Sequence, residues 1–413
     1  MAAILYLAHR IPFPPDRGDK IRSFHMLQAL ARLAPVHVAC FADNLDELAH
    51  QNELAALAQT HCVVQRTKSM ALAGVEAILK GKPVSLTAFH HQALADYVAR
   101  TIDAQDISTI FCFSGQMGQY IPADFQGRIV LDLVDVDSMK FESYAETSSS
   151  AMAYIYRREG RMLSQFEHRM ADRADVVSLV SENEANLFRR RMAADGHAAA
   201  DHIRSIANGI DCVRYDPHHD DLTKAVSATV AEHDIIFTGQ MDYPPNVDAV
   251  THFAAHVMPA VVTAVPGARF IIAGRSPTDA VRALHNAKNI IVTGEVEDIR
   301  TWLNQAAIAV APLMIARGVQ NKVLEAMAME KSVVVSPEAA TGIDAVNGTH
   351  FVVAEDNASF VAVCVDLLRD KGKARAMGTA ARRYVQDTMS WQAQLEGLDT
   401  IVFGEDVSIS DAA

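Results

Sequence analysis

The stretch IAVAPLMIARGVQNKVLEAMAMEKSVVVS, residues 308–336, places an apolar strand, a glycine-led loop, a helix and a second apolar strand in that order. Free amide N–H groups at the start of a helix favour phosphate, and the helix dipole adds to that preference. Glu325 lies within the first turns of this helix, where a carboxylate can accept hydrogen bonds from a ribose diol. The stretch therefore fits a bound nucleotide diphosphate, although an ordinary strand–helix–strand unit has the same form.

The bulk composition is that of a globular protein with 50% apolar and 21% charged residues. A chain of 413 residues exceeds one ordinary core, so we expect two domains of about 200 residues. Its five cysteines form no CxxC pair or His/Cys cluster, which predicts neither a zinc site nor a disulfide framework and fits a reducing compartment. A net charge of −13 argues against general nucleic-acid binding.

The chain start also bears on location. An apolar strand pattern leads directly to Arg10 and Pro12, so the h-region of a signal peptide is absent, and no apolar run reaches the length of a membrane span. We therefore expect a cytoplasmic protein that does not span a membrane.

Apolar runs alternate with helical patterns along the whole chain, which is typical of α/β units with parallel sheets. Seven strand-like runs precede residue 208, and six more follow residue 233 after a segment with turn residues and little periodicity. The pattern predicts two Rossmann-like domains that face each other across a cleft. Their expected bounds are an N-terminal domain over 1–212, a linker over 213–232, a C-terminal domain over 233–388, and a terminal helix and tail over 389–413.

The loop after the first strand is stiffened by prolines and contains Gly18 and Asp19 just before a helix. Gly18 would let the backbone approach a ligand, and Asp19 could cap the helix. His9 directly follows the strand and is a candidate acid/base group or acceptor contact. An ordinary turn with a capped helix would look the same. No GxGxxG fingerprint occurs, so a nicotinamide or flavin dehydrogenase is poorly supported.

Three aspartates follow one another closely at the fifth strand. Asp132, Asp135 and Asp137 lie in or just after it, and the Asp135-Val136-Asp137 triplet resembles a metal-binding DxD motif. Aspartates that cap a turn after a strand are commoner than metal ligands, so we predict no metal site.

In the C-terminal half, several loops follow strands of one predicted sheet. Gly239 and Asn246 come after its first strand, and Gly294 and Val296 come after its third. The carboxyl ends of parallel strands meet at one edge, where open α/β sheets bind ligands. The sequence therefore predicts that these loops converge with the segment around Glu325.

These segments resemble a known family. The C-terminal half is similar to family 4 glycosyltransferases of the GT-B fold through FTGQMDYPPNVDAV (237–250), FIIAGRSP (270–277), VTGEVEDI (292–299) and APLMIARGVQNKVLEAMAMEKSVVVSPEAATGI (311–343). A narrower resemblance, to the sugar transferases of PEP-CTERM/EpsH-type exopolysaccharide loci, lies in LYLAHRIPFPPDRGDKIRSFHMLQAL (5–30), LDLVDVDSMKFESYA (131–145) and ANGIDCVRYDP (207–217).

The resemblance implies retaining transfer of a sugar, of the hexosyltransferase type, from a nucleotide diphosphate sugar as co-substrate, with no cofactor and no metal. It implies that Glu325 binds the donor ribose. Lys322 or Arg317 would supply positive charge for the leaving diphosphate. The implied catalytic candidates are Asp19, His9, Arg317 and Lys322. The implied donor-binding residues are Gly18, Gly239, Asn246, Gly294, Val296, Gly318, Val319, Gln320, Asn321 and Glu325.

The chain departs from the family pattern at three places. Arg317 stands where the family usually has its first glutamate, eight residues before Glu325. A loop that often contains a histidine reads Ser114-Gly115-Gln116-Met117, and Gln240 and Met241 replace the usual Arg and Lys. The resemblance is therefore weakest for the residues that would contact the donor sugar.

Basic residues cluster in the first half, and RTKSMALAGVEAILKGK (66–82) groups apolar residues between cationic ends, as an interfacial helix does. Because acceptors of such enzymes are often polyprenyl-linked saccharides, we expect peripheral contact of the basic N-terminal domain with the inner face of the cytoplasmic membrane. An amphipathic helix packed on its own core remains the alternative. Two rival functions stay open, a GT-B nucleotide-sugar epimerase and a non-enzymatic two-lobed nucleotide- or sugar-binding module.

Overall fold

The computed structural model describes residues 2–197, 201–224, 232–286, 288–316 and 318–404. The chain divides into two compact units, one of Met1–Asn208 with Leu395–Ala413 and one of Gly209–Gln394. The division at 208 lies close to the expected domain end at 212. The described part of the expected linker belongs to the second unit, and the expected terminal segment is split between the two units at Gln394.

The first unit is built on a parallel sheet whose strands are continuous apolar runs. Such runs suit strands covered on both faces, as in α/β folds. In the described residues its seven strands have the order β3-β2-β1-β4-β5-β6-β7. They are β1 (Ala3–Ala8), β2 (Val36–Ala42), β3 (Thr60–Gln65), β4 (Ile107–Phe113), β5 (Arg128–Val134), β6 (Val176–Leu179) and β7 (Ile203–Ser205).

The helices of the first unit connect these strands and are fixed by caps as well as by apolar faces. Ser69, for example, accepts a hydrogen bond from the Leu72 amide at one helix start, and Gly81 ends that helix at φ 61°. The helices are α1 (Gly18–Leu33), α2 (Leu45–Leu48), α3 (Gln51–Ala55), α4 (Met70–Lys80), α5 (Val84–Ala88), α6 (Gln92–Ala104), α7 (Asp137–Thr147), α8 (Ser150–Arg173) and α9 (Glu182–Ala194), with a short 3₁₀ helix at Gly115–Tyr120.

The second unit repeats the plan with a six-stranded parallel sheet among the described residues, in the order β10-β9-β8-β11-β12-β13. Its strands are β8 (Asp234–Thr238), β9 (Arg269–Ala273), β10 (Ile290–Gly294), β11 (Ile308–Ala311), β12 (Ser332–Val335) and β13 (Val352–Val353). Its helices are α10 (Asp220–Lys224), α11 (Pro244–His256), α12 (Met258–Ala264), α13 (Asp279–Arg282), α14 (Ile299–Gln305), α15 (Asn321–Ala328), α16 (Pro337–Ala340), α17 (Asn357–Arg369), α18 (Lys371–Tyr384) and α19 (Trp391–Gln394), with a π-helical turn at Val385–Met389.

In each sheet the chain changes the side on which it adds strands at one point, between β1 and β4 in the first unit and between β8 and β11 in the second. Ligands of open α/β sheets bind at such points, outside the carboxyl ends of the strands. The fold therefore singles out the loops after β8 and β11 in the second unit, and those after β1 and β4 in the first.

The last helix, α20 (Leu398–Phe403), packs on the first unit. The Val402 carbonyl accepts a hydrogen bond from the Thr109 hydroxyl at 2.9 Å, and the Ile401 carbonyl accepts one from Arg128 Nε at 2.8 Å. Strands β4 and β5 thereby hold the returning chain.

Within the described ranges no single helix is long and apolar enough to cross a bilayer; only the bent pair α11 and α12, taken together, reaches that length and composition.

A buried ion pair lies in the first unit. Both side chains are almost fully buried, and the Arg22 guanidinium donates to the Asp132 carboxylate through Nε at 2.9 Å and Nη2 at 3.1 Å. Arg22 Nη1 also donates to the Ile206 carbonyl at 2.8 Å. Asp132, one of the three aspartates of the DxD region, thus joins α1 and β5 to the segment after β7.

This pair generates a stability prediction. Arg22→Met leaves the Asp132 carboxylate buried and unpaired, so we expect the free energy of unfolding in urea to fall by about 3–5 kcal/mol. The double variant Arg22→Met/Asp132→Leu should recover part of that loss, because it removes the stranded charge. Arg32→Met, on the exposed end of the same helix, is the control and should change the value by less than about 0.5 kcal/mol. An Arg22→Met variant as stable as this control would show that the pair does not support the fold.

Candidate functional site

Helix α15 begins just after the carboxyl edge of the second sheet and is held by its apolar face. Val323, Leu324 and Met327 are buried in the core of the unit. The N-cap residue Gln320 makes no side-chain capping bond to the first turn. Lys322 and Glu325 are three residues apart and therefore share the opposite, polar side of the helix.

A cavity of about 660 Å³ lies against this polar side and is formed entirely by the second unit. Loops that follow β8, β9, β10 and β11 all contribute to it, as the sequence predicts. Its lining residues are Tyr215, Thr238, Gly239, Gln240, Tyr243, Asn246, Ala273, Gly274, Arg275, Glu295, Val296, Ile299, Val319, Gln320, Asn321, Lys322 and Glu325.

Two glycines let the backbones of the β8 and β9 loops approach each other at the cavity wall. Gly239 and Gly274 have φ values of 153° and 154°, which side chains rarely adopt. A Cβ at Gly274 would lie 1.7 Å from the Gly239 carbonyl oxygen, and one at Gly239 would lie 2.8 Å from Asn246 Nδ2 and 3.2 Å from Lys322 Nζ. Both positions therefore require glycine, and Gly274 was not among the predicted site residues.

The Lys322 ammonium is the cation at the centre of this arrangement. It donates to the Asn246 side-chain oxygen and lies 4.3 Å from the centroid of the Phe237 ring. The Asn246 amide is itself oriented, because its Nδ2 donates to the Gln240 carbonyl at 2.8 Å. Burial lowers the pKa of Lys322 to about 8, and the nearby Glu325 carboxylate only partly opposes that effect.

Glu325 is bonded to a residue that the sequence did not single out. Burial raises the pKa of Glu325, while the Tyr215 hydroxyl, which donates to the carboxylate, and the charges of Lys322 and Arg214 act in the opposite direction. Burial and the same carboxylate raise the pKa of Tyr215, so its hydroxyl keeps its proton. Tyr215 thereby fixes the Glu325 carboxylate in the cavity wall.

The structure brings together most of the predicted donor residues. Gly239, Asn246, Val296, Val319, Gln320, Asn321, Lys322 and Glu325 all line the cavity. Gly294 ends β10 at φ 69° and supports the wall, because its carbonyl accepts from the Gly274 amide at 3.1 Å. Gly318 lies directly before Val319 at φ 64°. Arg317 falls outside the described residues.

Gln240 and Met241 stand where the resembled family usually has Arg and Lys, and burial in the core explains why Met241 is apolar. Met241 is completely buried and cannot present a charge, whereas Arg275 in the next loop lines the cavity. Arg275 Nη2 contacts Gln240 Oε1 at 3.3 Å. The cavity therefore receives its cations from the β9 loop and from α15.

The predicted residues of the first unit form a separate ionic cluster. His9 Nε2 lies 3.3 Å from Asp19 Oδ2, and Arg10 Nη1 lies 2.9 Å from the same oxygen. Arg17 Nε contacts the other carboxylate oxygen at 3.1 Å. The His9 ring stacks on Phe113 at 5.8 Å, and its Nδ1 is buried with no partner among the described residues.

The charges of this cluster follow from its contacts. Burial lowers the pKa of His9, with partial compensation from Asp19. Burial would raise the pKa of Asp19, but the hydrogen bond from His9 and the Arg17 and Arg10 charges hold it well below its usual range. Asp19 is therefore ionised and His9 largely neutral at pH 7.

The structure corrects the expected role of Asp19 in this loop and limits the expected role of Gly18. Asp19 does not cap α1, because the helix begins at Gly18 and the carboxylate is bonded to His9, Arg10 and Arg17 instead. A Cβ at Gly18 would have nothing within 4 Å, so packing among the described residues does not require glycine there.

The remaining aspartates of the DxD region are bound to a lysine. Lys140 Nζ lies 3.0 Å from Asp135 and 2.8 Å from Asp137, and these contacts raise the pKa of Lys140 against the effect of burial. In the parts of the chain that the structure describes, no group of three or more His, Cys, Asp or Glu side chains is arranged to hold a metal ion.

Comparisons with known proteins agree with this architecture. Residues 232–370 match the family model described as "Glycosyl transferases group 1". No curated protein matches the chain at a significant level.

Solved structures match over almost the whole chain at low identity. HepE of Anabaena in complex with UDP and glucose has a TM-score of 0.57 and 15% identity, with 96% of this chain and 97% of that chain covered. Sucrose-phosphate synthase of Thermosynechococcus elongatus has a TM-score of 0.58 and 16% identity, with 97% and 98% covered. A TarM mutant of S. aureus in complex with Fondaparinux, alpha-GlcNAc-glycerol and UDP has a TM-score of 0.56 and 11% identity, with 97% and 99% covered.

These matches establish the fold, and the family match falls on the unit that contains the cavity. With a glycosyl transferases group 1 domain in its second unit and a parallel-sheet unit on either side of residue 208, the chain is a glycosyltransferase of the GT-B fold.

Proposed function

We propose that the chain transfers a sugar, with retention and without a metal, from a nucleotide diphosphate sugar to a lipid-linked saccharide of cell-surface polysaccharide. It would act as a family 4 enzyme of the exopolysaccharide-associated type. The observation that carries the donor assignment is the pairing of Lys322 and Glu325 on the first turns of α15, both in the wall of one cavity. HepE and TarM, which share the fold, are seen with UDP, which supports UDP as the nucleotide.

The diphosphate is assigned to the start of α15 and Lys322. Amides of the first helical turn and the helix dipole attract phosphate, and Gly318, Val319, Gln320 and Asn321 form the approach to that turn. Lys322 is desolvated and its hydrogen-bond acceptor is a neutral amide oxygen, so a diphosphate would place an anion in direct contact with its ammonium. Arg275 would add a second positive charge from the neighbouring loop. Together they would stabilise the leaving diphosphate.

The ribose is assigned to Glu325. Its carboxylate is already oriented by the Tyr215 hydroxyl and can accept hydrogen bonds from both hydroxyls of a ribose diol. Val296 lies in the loop that follows β10 and Gly294 lies just before that loop, and both would contact the base. Gly239 and Asn246 would form the floor of the cavity beside the phosphates.

The acceptor side is assigned to the first unit. Gly18 lies at the start of α1, and His9 has one ring nitrogen left for a ligand, because Nε2 contacts Arg10 and Asp19. Asp19, held ionised by its cations, would keep the His9 ring in place. Arg317 remains a candidate for contact with the donor sugar on the basis of its position in the sequence.

The donor assignment predicts the effect of removing one carboxylate. Glu325→Ala should weaken UDP-hexose binding about 10- to 100-fold, because charge-assisted hydrogen bonds to the ribose are lost. The fold should keep nearly all of its stability, since the carboxylate has a raised pKa and faces a cavity. Binding is measured by calorimetry after a thermal-shift panel of nucleotide sugars has identified the donor.

The control is Glu338→Ala, which removes an exposed carboxylate from α16 and should leave donor affinity unchanged. Unchanged affinity in Glu325→Ala would rule out the ribose role. A turnover assay separates sugar transfer from the two rival functions. Nucleotide release that is stimulated by a lipid-linked sugar supports transfer. Isomerised donor without release would indicate an epimerase, and tight binding without turnover would indicate a binding module.

Membrane contact is assigned to an apolar surface on α4 and the start of α8, which we term the α4–α8 surface. Only small residues of α4, Ala73 and Ala77, are buried. Its large apolar residues are exposed, with Ile78 at 71% and Leu79 at 82%, and Tyr154 on α8 is exposed at 71%. This supports contact with a lipid interface over an amphipathic helix packed on its own core.

The two helices of the surface are joined by one arginine. Arg158 of α8 donates through Nη2 to the Ala77 carbonyl at 3.2 Å and contacts the Lys82 carbonyl at 3.3 Å. Lys80 and Lys82 flank the apolar residues at that end. Cations beside exposed apolar side chains are the composition that anionic membranes attract.

Replacement of two of these apolar residues should weaken lipid binding. We expect Ile78→Ser/Leu79→Ser to reduce partitioning onto anionic vesicles about 30-fold or more, because two large side chains no longer enter the interface. Vesicle cosedimentation measures the effect. Leu45→Ser/Val346→Ser removes two exposed apolar side chains elsewhere and should leave partitioning unchanged. Equal partitioning of the two double variants would contradict the assignment.

A further inference from the structure

A second cavity, of about 600 Å³, lies in the first unit among α7, α8 and the end of α9. It is separate from the donor residues, since every residue that lines it falls between 142 and 197. Arginines dominate its lining, and we term it the arginine cavity. Its position in the fold makes it independent of the donor chemistry proposed above.

Three of the arginines lie on one face of α8. Arg157 and Arg161 are four residues apart and Arg161 and Arg169 are eight apart, so the three side chains lie on the same side of the helix. Like charges four residues apart, as in Arg157 and Arg161, disfavour the helix slightly, and a bound anion would offset that effect. The net charge of the chain is −13, which makes the concentration of positive charge unusual for this protein.

These three arginines have no hydrogen-bond or ion-pair partner within the described ranges. Arg191, the fourth arginine of the lining, differs because it is bonded to the Glu142 carboxylate at 2.6 Å and 2.9 Å. Glu142 is thus already paired with Arg191, and the three α8 arginines are available to bind a ligand.

A buried histidine in the same wall gives an independent indication of a ligand. The side chain of His168 is 2% exposed, and its Nδ1 lies 3.1 Å from Asp195 Oδ2. Its Nε2 is buried and has no partner among the described residues. An unpartnered buried polar atom is costly unless something bonds it when the site is filled.

We propose that the arginine cavity binds the phosphate group of an anionic ligand. Guanidinium groups form paired hydrogen bonds with phosphate oxygens, and His168, once its ring is protonated, would donate to the same group through Nε2. The source assigned to it is a lipid headgroup. The α4–α8 surface includes the first turns of α8, and the next turns of that helix bear the arginines; Tyr154 and Ile155 are exposed three and two residues before Arg157.

The test compares two variants of the full-length chain with equal change in net charge. Arg161→Gln/Arg169→Gln removes two cavity arginines, and Arg32→Gln/Arg100→Gln removes two exposed arginines from α1 and α6. Each arginine near an anionic surface strengthens binding about fivefold, so the cavity variant should bind phosphatidylglycerol vesicles roughly 25-fold more weakly. The control variant should stay within about twofold of the parent, and binding to phosphatidylcholine vesicles should be the same in all three.

A soluble arm identifies the source of the phosphate group. Inorganic phosphate is titrated into both variants, so that any binding at the donor cavity contributes equally. Weaker vesicle binding in the cavity variant alone supports a lipid headgroup. Weaker phosphate binding with unchanged vesicle binding supports a phosphate site that serves a soluble ligand. If the cavity variant equals the control in both arms, the proposal is wrong, whatever the outcome for donor binding at Glu325.

Discussion

The contact between the Lys322 ammonium and the Asn246 side chain is the interaction on which the second unit's site depends. The ammonium is desolvated above Phe237, and burial lowers its pKa to about 8. Its hydrogen-bond acceptor is neutral, and the Glu325 carboxylate on the same side of α15 compensates its charge only in part. Gly239 must be glycine because these two side chains occupy the space next to it, and Gly274 must be glycine because the Gly239 carbonyl lies against it. The Lys322 and Asn246 side chains thereby constrain the β8 loop directly, and the β8 loop constrains the β9 loop.

The two units use the same sheet topology with opposite electrostatic results. In the first unit, Arg22 is neutralised by Asp132 inside the core, and Asp19 is surrounded by His9, Arg10 and Arg17. In the second unit, the corresponding edge of the sheet leaves Lys322 open to a cavity. The buried Arg22–Asp132 ion pair contributes only to folding, whereas a cation that faces a cavity can also bind an anionic ligand. The same sheet topology can therefore surround a neutralised ion pair in one unit and form the proposed diphosphate site in the other.

Sequence patterns predicted all thirteen described strands and the convergence of the loops that line the cavity of the second unit. Continuous apolar runs identify buried parallel strands, and the shared carboxyl edge of such strands places Asn246, Val296 and Glu325 together. Gly274, Arg275 and Tyr215 were missed because their roles depend on contacts between loops that no spacing reveals. Tyr215 lay in a segment interpreted as a linker, although it belongs to the ANGIDCVRYDP stretch that supports the family resemblance.

A crystal structure with bound UDP would test whether the Lys322 and Glu325 pair holds a nucleotide diphosphate. We expect diphosphate oxygens within about 3 Å of Lys322 Nζ and of the amides at the start of α15, with the ribose hydroxyls bonded to Glu325. UDP bound outside this cavity, or bound in it with its ribose away from Glu325 and its phosphates away from Lys322, would contradict the account.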